Sequence, residues 1–392
     1  MRADAIRDKV AIIGMGITKF GENWNKSVDD MLIDAVYEAY ADAGVETKDI
    51  EAAWLGSVVS AFTGATLAMP LKLKNMPITR VENACGTGMD ALRNACFGVA
   101  CGLYDIVLVA GVEKLKDSGY SGLPEFFDNP VYNLGLTAPG RWALLANKYF
   151  AKYGIKPEDG KRALAKIAVK NHHNGTFSPK AHFQREITLE QAINAPIIAW
   201  PLGLFDCCPT TDGASAAIIC SADIAKNFKD DYVLVKGFGV ALGTGWGKED
   251  IDYQYDHLPE TQAAGRQAYE AAGIKNPREE ISVAQVHDCF SIAELTEYEA
   301  LGFCDQGRAV YEVEEGAFTL EGRLPANTDG GLKAFGHPLA ASGLRMCNEL
   351  YLQLRGKAGP RQVKNPKFGL AMAQGGHPGY LMPVVTILGC RD

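Results

Sequence analysis

No apolar run in this 392-residue chain reaches about 18 residues, the length a helix needs to cross a bilayer. The opening Met1-Arg2-Ala3-Asp4-Ala5-Ile6-Arg7-Asp8-Lys9 lacks the apolar core of a secretory signal. The closing Gly389-Cys390-Arg391-Asp392 is not a peroxisomal tail of the Ser-Lys-Leu type. Excess positive charge is missing too. The formal net charge is -8, which excludes a bulk basic surface for nucleic acid but leaves room for a local patch facing an anionic cofactor. The ten cysteines include no C-x-x-C pair, and Cys207 and Cys208 are adjacent, so no zinc site is suggested. The others lie in apolar runs such as Ile219-Cys220 and Arg345-Met346-Cys347, which reads as a reduced, cytoplasmic protein.

Phosphate-binding patterns are incomplete. Gly14-Met15-Gly16 meets Lys19 where a dinucleotide fingerprint needs its third glycine, and Gly237-Phe238-Gly239 meets Leu242. Gly247-Lys248 is followed by Glu249, where a phosphate loop needs Ser or Thr. There is also no G-x-S-x-G elbow.

What is present is an ordinary globular composition, 47% hydrophobic, long enough for one large or two medium domains. Val10-Ala11-Ile12-Ile13-Gly14 reads as a buried strand ending in glycine, and helical spacing follows over Val28–Ala43. Strand-like Trp54–Val59, a helix from Met89 and a strand over Ile106–Val112 complete an α/β pattern with a largely parallel sheet. From about Lys114 the texture turns rich in Gly, Pro, Asn, His and aromatics, with a helix near Arg162–His172. The α/β texture returns at Thr211–Ile219. Tyr232–Gly237 then repeats the opening strand, and Leu381–Leu388 mirrors Ala214–Cys220. An internal duplication is expected, with two facing helix N-termini carrying Cys85 and His337.

Cys85 lies in Asn83-Ala84-Cys85-Gly86-Thr87-Gly88, a tight turn leading into a helix. The helix dipole and nearby backbone N–H groups would favour its thiolate, although a small buried hydrophobe fits the same segment. His287-Asp288-Cys289-Phe290 follows a strand-like run and precedes a helix with Ile292, Leu295, Tyr298 and Leu301 on one face. That is a usual catalytic position in α/β folds, and Asp288 or Ser291 could also cap the helix. Gly336-His337-Pro338 puts an imidazole on a glycine-rich turn that a substrate can approach closely. Ala373-Gln374-Gly375-Gly376-His377-Pro378-Gly379 reads as a further glycine turn, whose exposed N–H groups suit an oxyanion hole. Lys152, Lys166, Lys170 and Lys180 in the middle segment are candidate phosphate contacts.

These stretches, together with Val169-Lys170-Asn171-His172, Asp206–Ala214 and Gly330–Pro338, resemble thiolases over essentially the whole chain. The likeness is closest to the sterol-carrier-protein type and to archaeal and bacterial thiolases. Relatives of that branch include subunits acting on bulky acyl groups such as benzoylsuccinyl-CoA, and others acting on acetoacetyl-CoA. The resemblance implies a five-layered α-β-α-β-α fold of two duplicated halves, residues 1–115 with 206–230 and residues 231–392, plus an inserted loop domain over 116–205 that contacts coenzyme A. It implies an acyltransferase that cleaves 3-ketoacyl-CoA with coenzyme A as co-substrate, or condenses in reverse, with no permanently bound cofactor or metal. It also implies a homodimer or larger assembly and a small zinc-ribbon/OB-fold partner subunit. By position, Cys85 is the nucleophile and His337 its activator, and His287 helps form one oxyanion hole. The backbone N–H groups of Cys85 and Gly375 form the second. Ala373 stands where many thiolases carry another catalytic cysteine, so Cys289 inherits the acid–base role and His377 would shape the acyl pocket. A ketoacyl-synthase-like condensing enzyme and a non-catalytic thiolase-like scaffold are the alternatives.

Overall fold

A computed structural model describes residues 5–119, 137–243 and 253–390. Its strands are β1 Val10–Ile17, β2 Ala52–Gly56, β3 Ile78–Val81, β4 Ile106–Glu113, β5 Ile197–Ala199, β6 Leu202–Gly203, β7 Gly213–Ser221, β8 Val233–Val240, β9 Val283–Gln285, β10 Phe368–His377 and β11 Tyr380–Gly389. Nine of them form one sheet in the order β3-β2-β4-β7-β1-β8-β11-β10-β9, and β5 pairs with β6 as a separate hairpin. The central strands are covered on both faces, which is why they read as apolar runs without alternation.

The duplication is visible in strand direction. Outward from the middle, β7 runs antiparallel to both β1 and β4, and β4 pairs parallel with β2, so the sheet is mixed with parallel pairing only towards its edges, not largely parallel as the strand–helix alternation suggested. On the other side β8, β11 and β10 run antiparallel and β10 pairs parallel with β9. Within the sheet, β1 and β8 join the halves through the residue pairs Ala11↔Leu234 and Ile12↔Val233. The helices Thr87–Ala100 and Leu339–Leu354 pack on each other and on strands of both halves. The helix Val28–Ala43 covers β1 and β7, and the helix Pro259–Ala272 covers β8 and β11. The narrow β1–β8 junction divides the nine-stranded sheet into two wings, so the layers run outer helix, wing, paired helices, wing, outer helix.

One expectation about the glycines is corrected. Gly14 does not end β1, which continues through Gly16 to Ile17. A Cβ on Gly16 would collide with the carbonyl of Ala35, and one on Gly239 in β8 would collide with that of Ala264. Both G-x-G pairs let an outer helix lie directly on its strand, once in each half.

The segment between β4 and β7 supplies the helices Ala138–Tyr153 and Pro157–Thr176 and the β5–β6 hairpin. The second helix extends past both ends of the expected Arg162–His172. Both helices pack on the helix Ser291–Ala300. That helix is buried on every side, including Glu294, Glu297 and Glu299, rather than on one apolar face. Among the described residues, no helix is long and apolar enough to cross a membrane.

Candidate active site

Strand β3 ends at Val81, and the chain turns sharply before the helix Thr87–Ala100, with Gly86 at the N-cap. Thr87 Oγ1 accepts the Asn83 N–H at 2.8 Å and donates to the Ala84 carbonyl at 2.5 Å. Ala84 is held at φ 47°. A left-handed backbone costs a residue with a Cβ roughly 1–2 kcal/mol, so strain is stored directly before Cys85. Behind this turn, a Cβ on Gly375 would lie 3.0 Å from the Cys85 nitrogen and against the Ala84 side chain. The glycine thus lets β10 lie flat on the cysteine turn. Gly375 and Gly376 are in the strand, opposite Met382 and Leu381. The expected glycine turn is confined to Pro378-Gly379 at the hairpin tip, where Gly379 has φ 83°.

Sulfur and nitrogen donor atoms of Cys85, His287 and His337 all lie within 4.8 Å of one another, close enough to hold a metal ion, a convergence that cysteine spacing did not suggest. The two imidazoles meet edge to face at 5.1 Å. Their tautomers follow from the hydrogen-bond network. Ser342 Oγ donates its proton to the Pro338 carbonyl at 3.3 Å, so it accepts from His337 Nδ1–H at 2.9 Å. This leaves His337 Nε2 as a bare lone pair, buried without a hydrogen-bond partner among the described residues. His287 is set the other way. Its Nδ1 accepts the Gln374 backbone N–H at 3.4 Å, leaving Nε2–H as a donor. Burial, with the nearby Arg345 charge, depresses His337 to about 3. Burial, His337 and Arg345 push His287 well below its ordinary value. One neutral ring can take a proton and the other can give a hydrogen bond.

The thiol departs from the sequence reading. Burial, with Glu113 nearby, pushes Cys85 up to about 12, outweighing the backbone N–H at Cys85 that favours thiolate. At rest the group is a neutral thiol, and ionisation requires a base. Cys289 is 5% exposed, and its thiol is raised by burial, by Cys208 and by Cys85. Cys208 was missed as a site residue. Its N–H bonds the Cys289 carbonyl at 2.9 Å, and its own thiol is raised by burial with Cys207, while Cys85 also lies within electrostatic reach. The signal was its place inside the Asp206–Ala214 stretch.

A buried polar frame holds the site from behind. Asp288 accepts the N–H groups of Leu332 at 2.6 Å and Lys333 at 3.0 Å, and the Asn171 amide at 2.8 Å. Its pKa is raised by burial and by Glu294. Asn327 binds Glu294 at 2.9 Å and receives the Val286 N–H at 2.9 Å, directly before His287. Beside the cysteine turn, Glu113 receives the N–H of Val58 and, at 2.8 Å, the Ser60 hydroxyl, and burial raises it to about 7.

His377 lies outside the three-residue cluster. Its Nε2 accepts from Arg141 at 2.8 Å and its Nδ1–H donates to the Pro378 carbonyl at 3.2 Å, so the ring ties the insertion to the hairpin tip. Burial and Arg141 hold it near 4. The four lysines do not converge. Lys152 pairs with Asp256 at 2.8 Å, Lys166 with Glu314 at 2.5 Å and Lys180 with Glu38 at 2.5 Å. Lys170 is buried on Glu294 at 2.5 Å and also bonds Tyr298 and the Ala326 carbonyl. Each lysine is engaged by a different carboxylate.

Comparison with known proteins identifies the family. The family model "Thiolase, N-terminal domain" matches residues 10–223, and "Thiolase C-terminal domain-like" matches residues 248–389. The acetyl-CoA acetyltransferase of Methanothermobacter thermautotrophicus is 38% identical over 379 residues, spanning 94% of this chain and 97% of the relative. Sterol carrier protein 2 of Gallus gallus is 34% identical over 92% of this chain and 68% of its own length. Among solved structures, the Ltp2-ChsH2(DUF35) aldolase has TM-score 0.83 at 28% identity, over 98% of each chain. Human mitochondrial 3-ketoacyl-CoA thiolase has TM-score 0.70 at 18% identity, over 99% of this chain and 100% of that one, a likeness of fold. With two matched halves, each lending one central helix to a shared cysteine–histidine site, the chain belongs to the thiolase family and is an acyltransferase.

Proposed function

We propose that this thiolase cleaves a 3-ketoacyl-CoA with coenzyme A, or runs the reverse condensation, through an acyl group carried on Cys85. The observation that carries the reading is the meeting of a neutral thiol and two neutral imidazoles of opposite tautomer, with the sulfur and one nitrogen of each ring within 4.8 Å of one another. Cys85 gives its proton to His337 Nε2, and the thiolate adds to the ketone carbon. The backbone N–H groups of Cys85 and Gly375 receive the ketone oxygen as it gains charge. The bond between the ketone carbon and its α-carbon then breaks, leaving an acyl-cysteine and the enolate of the departing thioester. His287 Nε2–H and the newly protonated His337 Nε2–H bind the enolate oxygen. His337 is thus an acceptor before proton transfer and a donor after it.

Cys289 protonates the α-carbon and becomes a thiolate. It recovers a proton from the incoming coenzyme A thiol, which attacks the acyl-cysteine. His337 returns its proton to the released Cys85 sulfur, so the cycle closes.

The kinship with acetyl-CoA acetyltransferases supports short acyl groups as first candidates, and the DUF35 partner named with Ltp2 supports a small partner subunit here. A homo-oligomer in the cytoplasm completes the proposal. A second reading, carbon–carbon cleavage of the aldolase kind, is favoured by the name of the same neighbour. It needs no acyl-enzyme. Incubation with coenzyme A and a panel of 3-ketoacyl thioesters, followed by mass spectrometry, tests the proposal. Acyl-CoA products that form only with added coenzyme A support it. Cleavage of a 3-hydroxyacyl thioester into an aldehyde or ketone and a shorter acyl-CoA, without added coenzyme A, supports the aldolase reading.

A further inference from the structure

The helix Ser291–Ala300 begins directly after the His287–Phe290 motif and carries Glu297 into the protein with no exposed surface. Glu297 Oε1 accepts from Gln374 Nε2 at 2.6 Å, and Oε2 makes no hydrogen bond among the described residues. The glutamine is clamped from its other side as well, because the Thr261 hydroxyl donates to Gln374 Oε1 at 2.8 Å. Gln374 lies in β10 between Ala373 and Gly375, and its backbone N–H is the group that faces His287 Nδ1. Burial, with the charges of Glu294 and Asp288 nearby, lifts the Glu297 carboxyl well above its usual range, against the opposing pull of the His287 backbone N–H. Its bonded partner is a neutral amide, which is suitable company for a neutral acid and poor company for a carboxylate.

We propose that Glu297 is a positioning residue: by holding the Gln374 side chain it fixes the N–H that sets the His287 tautomer, and with it the stretch of β10 lying against the Cys85 turn. The role rests on the thiolase reading for its consequence in turnover, but not for its consequence in the His287 ring. Glu297 touches no reacting atom. Without it the Gln374 side chain loses one anchor, β10 gains freedom beside Gly375, and the His287 proton is no longer confined to Nε2.

The test compares Glu297→Gln with Glu297→Leu in the full chain, by ¹⁵N NMR of the histidine rings and by steady-state thiolysis. In Glu297→Gln a carboxamide oxygen still accepts from Gln374, so the His287 ring keeps its single tautomer and kcat stays within about threefold. In Glu297→Leu the His287 signals become those of mixed tautomers, and kcat falls about tenfold or more, a share of what a general acid–base group supplies, while KM for the acyl-CoA stays within about twofold. Should Glu297→Leu fail to fold, Gln374→Leu replaces it, since it keeps the backbone N–H and removes its anchor, and the same mixing is expected. Glu297→Gln losing as much as Glu297→Leu would overturn the proposal. So would a wild-type His287 tautomer in Glu297→Leu, or in Gln374→Leu if that variant is used. The ring readout needs no substrate, so wild-type protein inactive in thiolysis refutes the functional reading and leaves this inference to the NMR.

Discussion

His337 stands just before the helix Leu339–Leu354 and Ser342 in its first turn, with Nδ1 and Oγ 2.9 Å from each other, and the hydroxyl's own proton is committed to the Pro338 carbonyl. That one hydroxyl decides which nitrogen of His337 is free to act. Ser342→Ala removes the acceptor for Nδ1–H, so the ring can tautomerise and present N–H to Cys85. Iodoacetamide alkylation of Cys85 at neutral pH is expected to slow about tenfold, part of the 10²–10⁴ of a general base, and about as much again in His337→Ala. Peptide mapping of alkylated Cys85 against time checks this, and unchanged rates in both variants contradict it.

Cys289→Ala separates the two halves of the chemistry. The variant still accepts an acyl group on Cys85 from a simple acyl-CoA, but thiolytic cleavage drops by about 10²–10⁴-fold. Cys289→Ser recovers little, because a hydroxyl is a far weaker acid than a thiol. Stopped-flow acylation alongside steady-state cleavage measures both steps. Near-normal cleavage without the thiol contradicts its role.

Lys170 belongs to the frame. It is buried on Glu294, which also binds Asn171 and Asn327. Lys170→Met leaves a buried carboxylate without its cation and is expected to cost about 3–5 kcal/mol of stability. Lys152→Met loses an ion pair at a partly exposed ammonium and is expected to cost under about 1 kcal/mol. Chemical denaturation of the two variants gives the contrast. Equal midpoints contradict this assignment.

The buried imidazole of His337 carries a pH signature. Its folded value near 3 lies below an unfolded value near 6.5. Between those limits the unfolded chain binds more protons than the native one, so this residue's contribution is present above about pH 6.5 and is lost as pH falls towards 3. Glu113, raised to about 7, acts with the opposite sign between its unfolded value and 7. The His337 share is therefore read as a difference. His337→Asn should show a shallower fall in thermal midpoint than the wild type between about pH 6.5 and pH 4. Parallel curves contradict the depressed value.

The reacting groups were legible in sequence because each stands just before a helix, Cys85 and His337 beside glycines and His287 and Cys289 after a strand, and period and turn chemistry mark such junctions. The duplication was legible because β1 and β8 repeat one apolar run with a G-x-G. What those glycines do was not legible. Their reason is the outer helix that follows each strand, meeting Gly16 at Ala35 and Gly239 at Ala264, and only packing reveals it. The protonation of Cys85 was misjudged for a related cause, since a helix N-terminus is local and the burial that outweighs it comes from both halves. Glu294, Glu297 and Gln374 carry no sequence signal, because their partners lie on other elements. The lysines were legible as charges and not as ion pairs, since each acid that holds them is distant in the chain.

Intact-mass spectrometry of the protein mixed with acetyl-CoA tests the central claim most directly. The account predicts one acetyl group per chain, mapped to Cys85, formed in the wild type and in Cys289→Ala and absent from Cys85→Ala. An adduct that persists in Cys85→Ala, or a wild-type protein that turns over 3-ketoacyl-CoA without ever carrying an acyl group on Cys85, would contradict it.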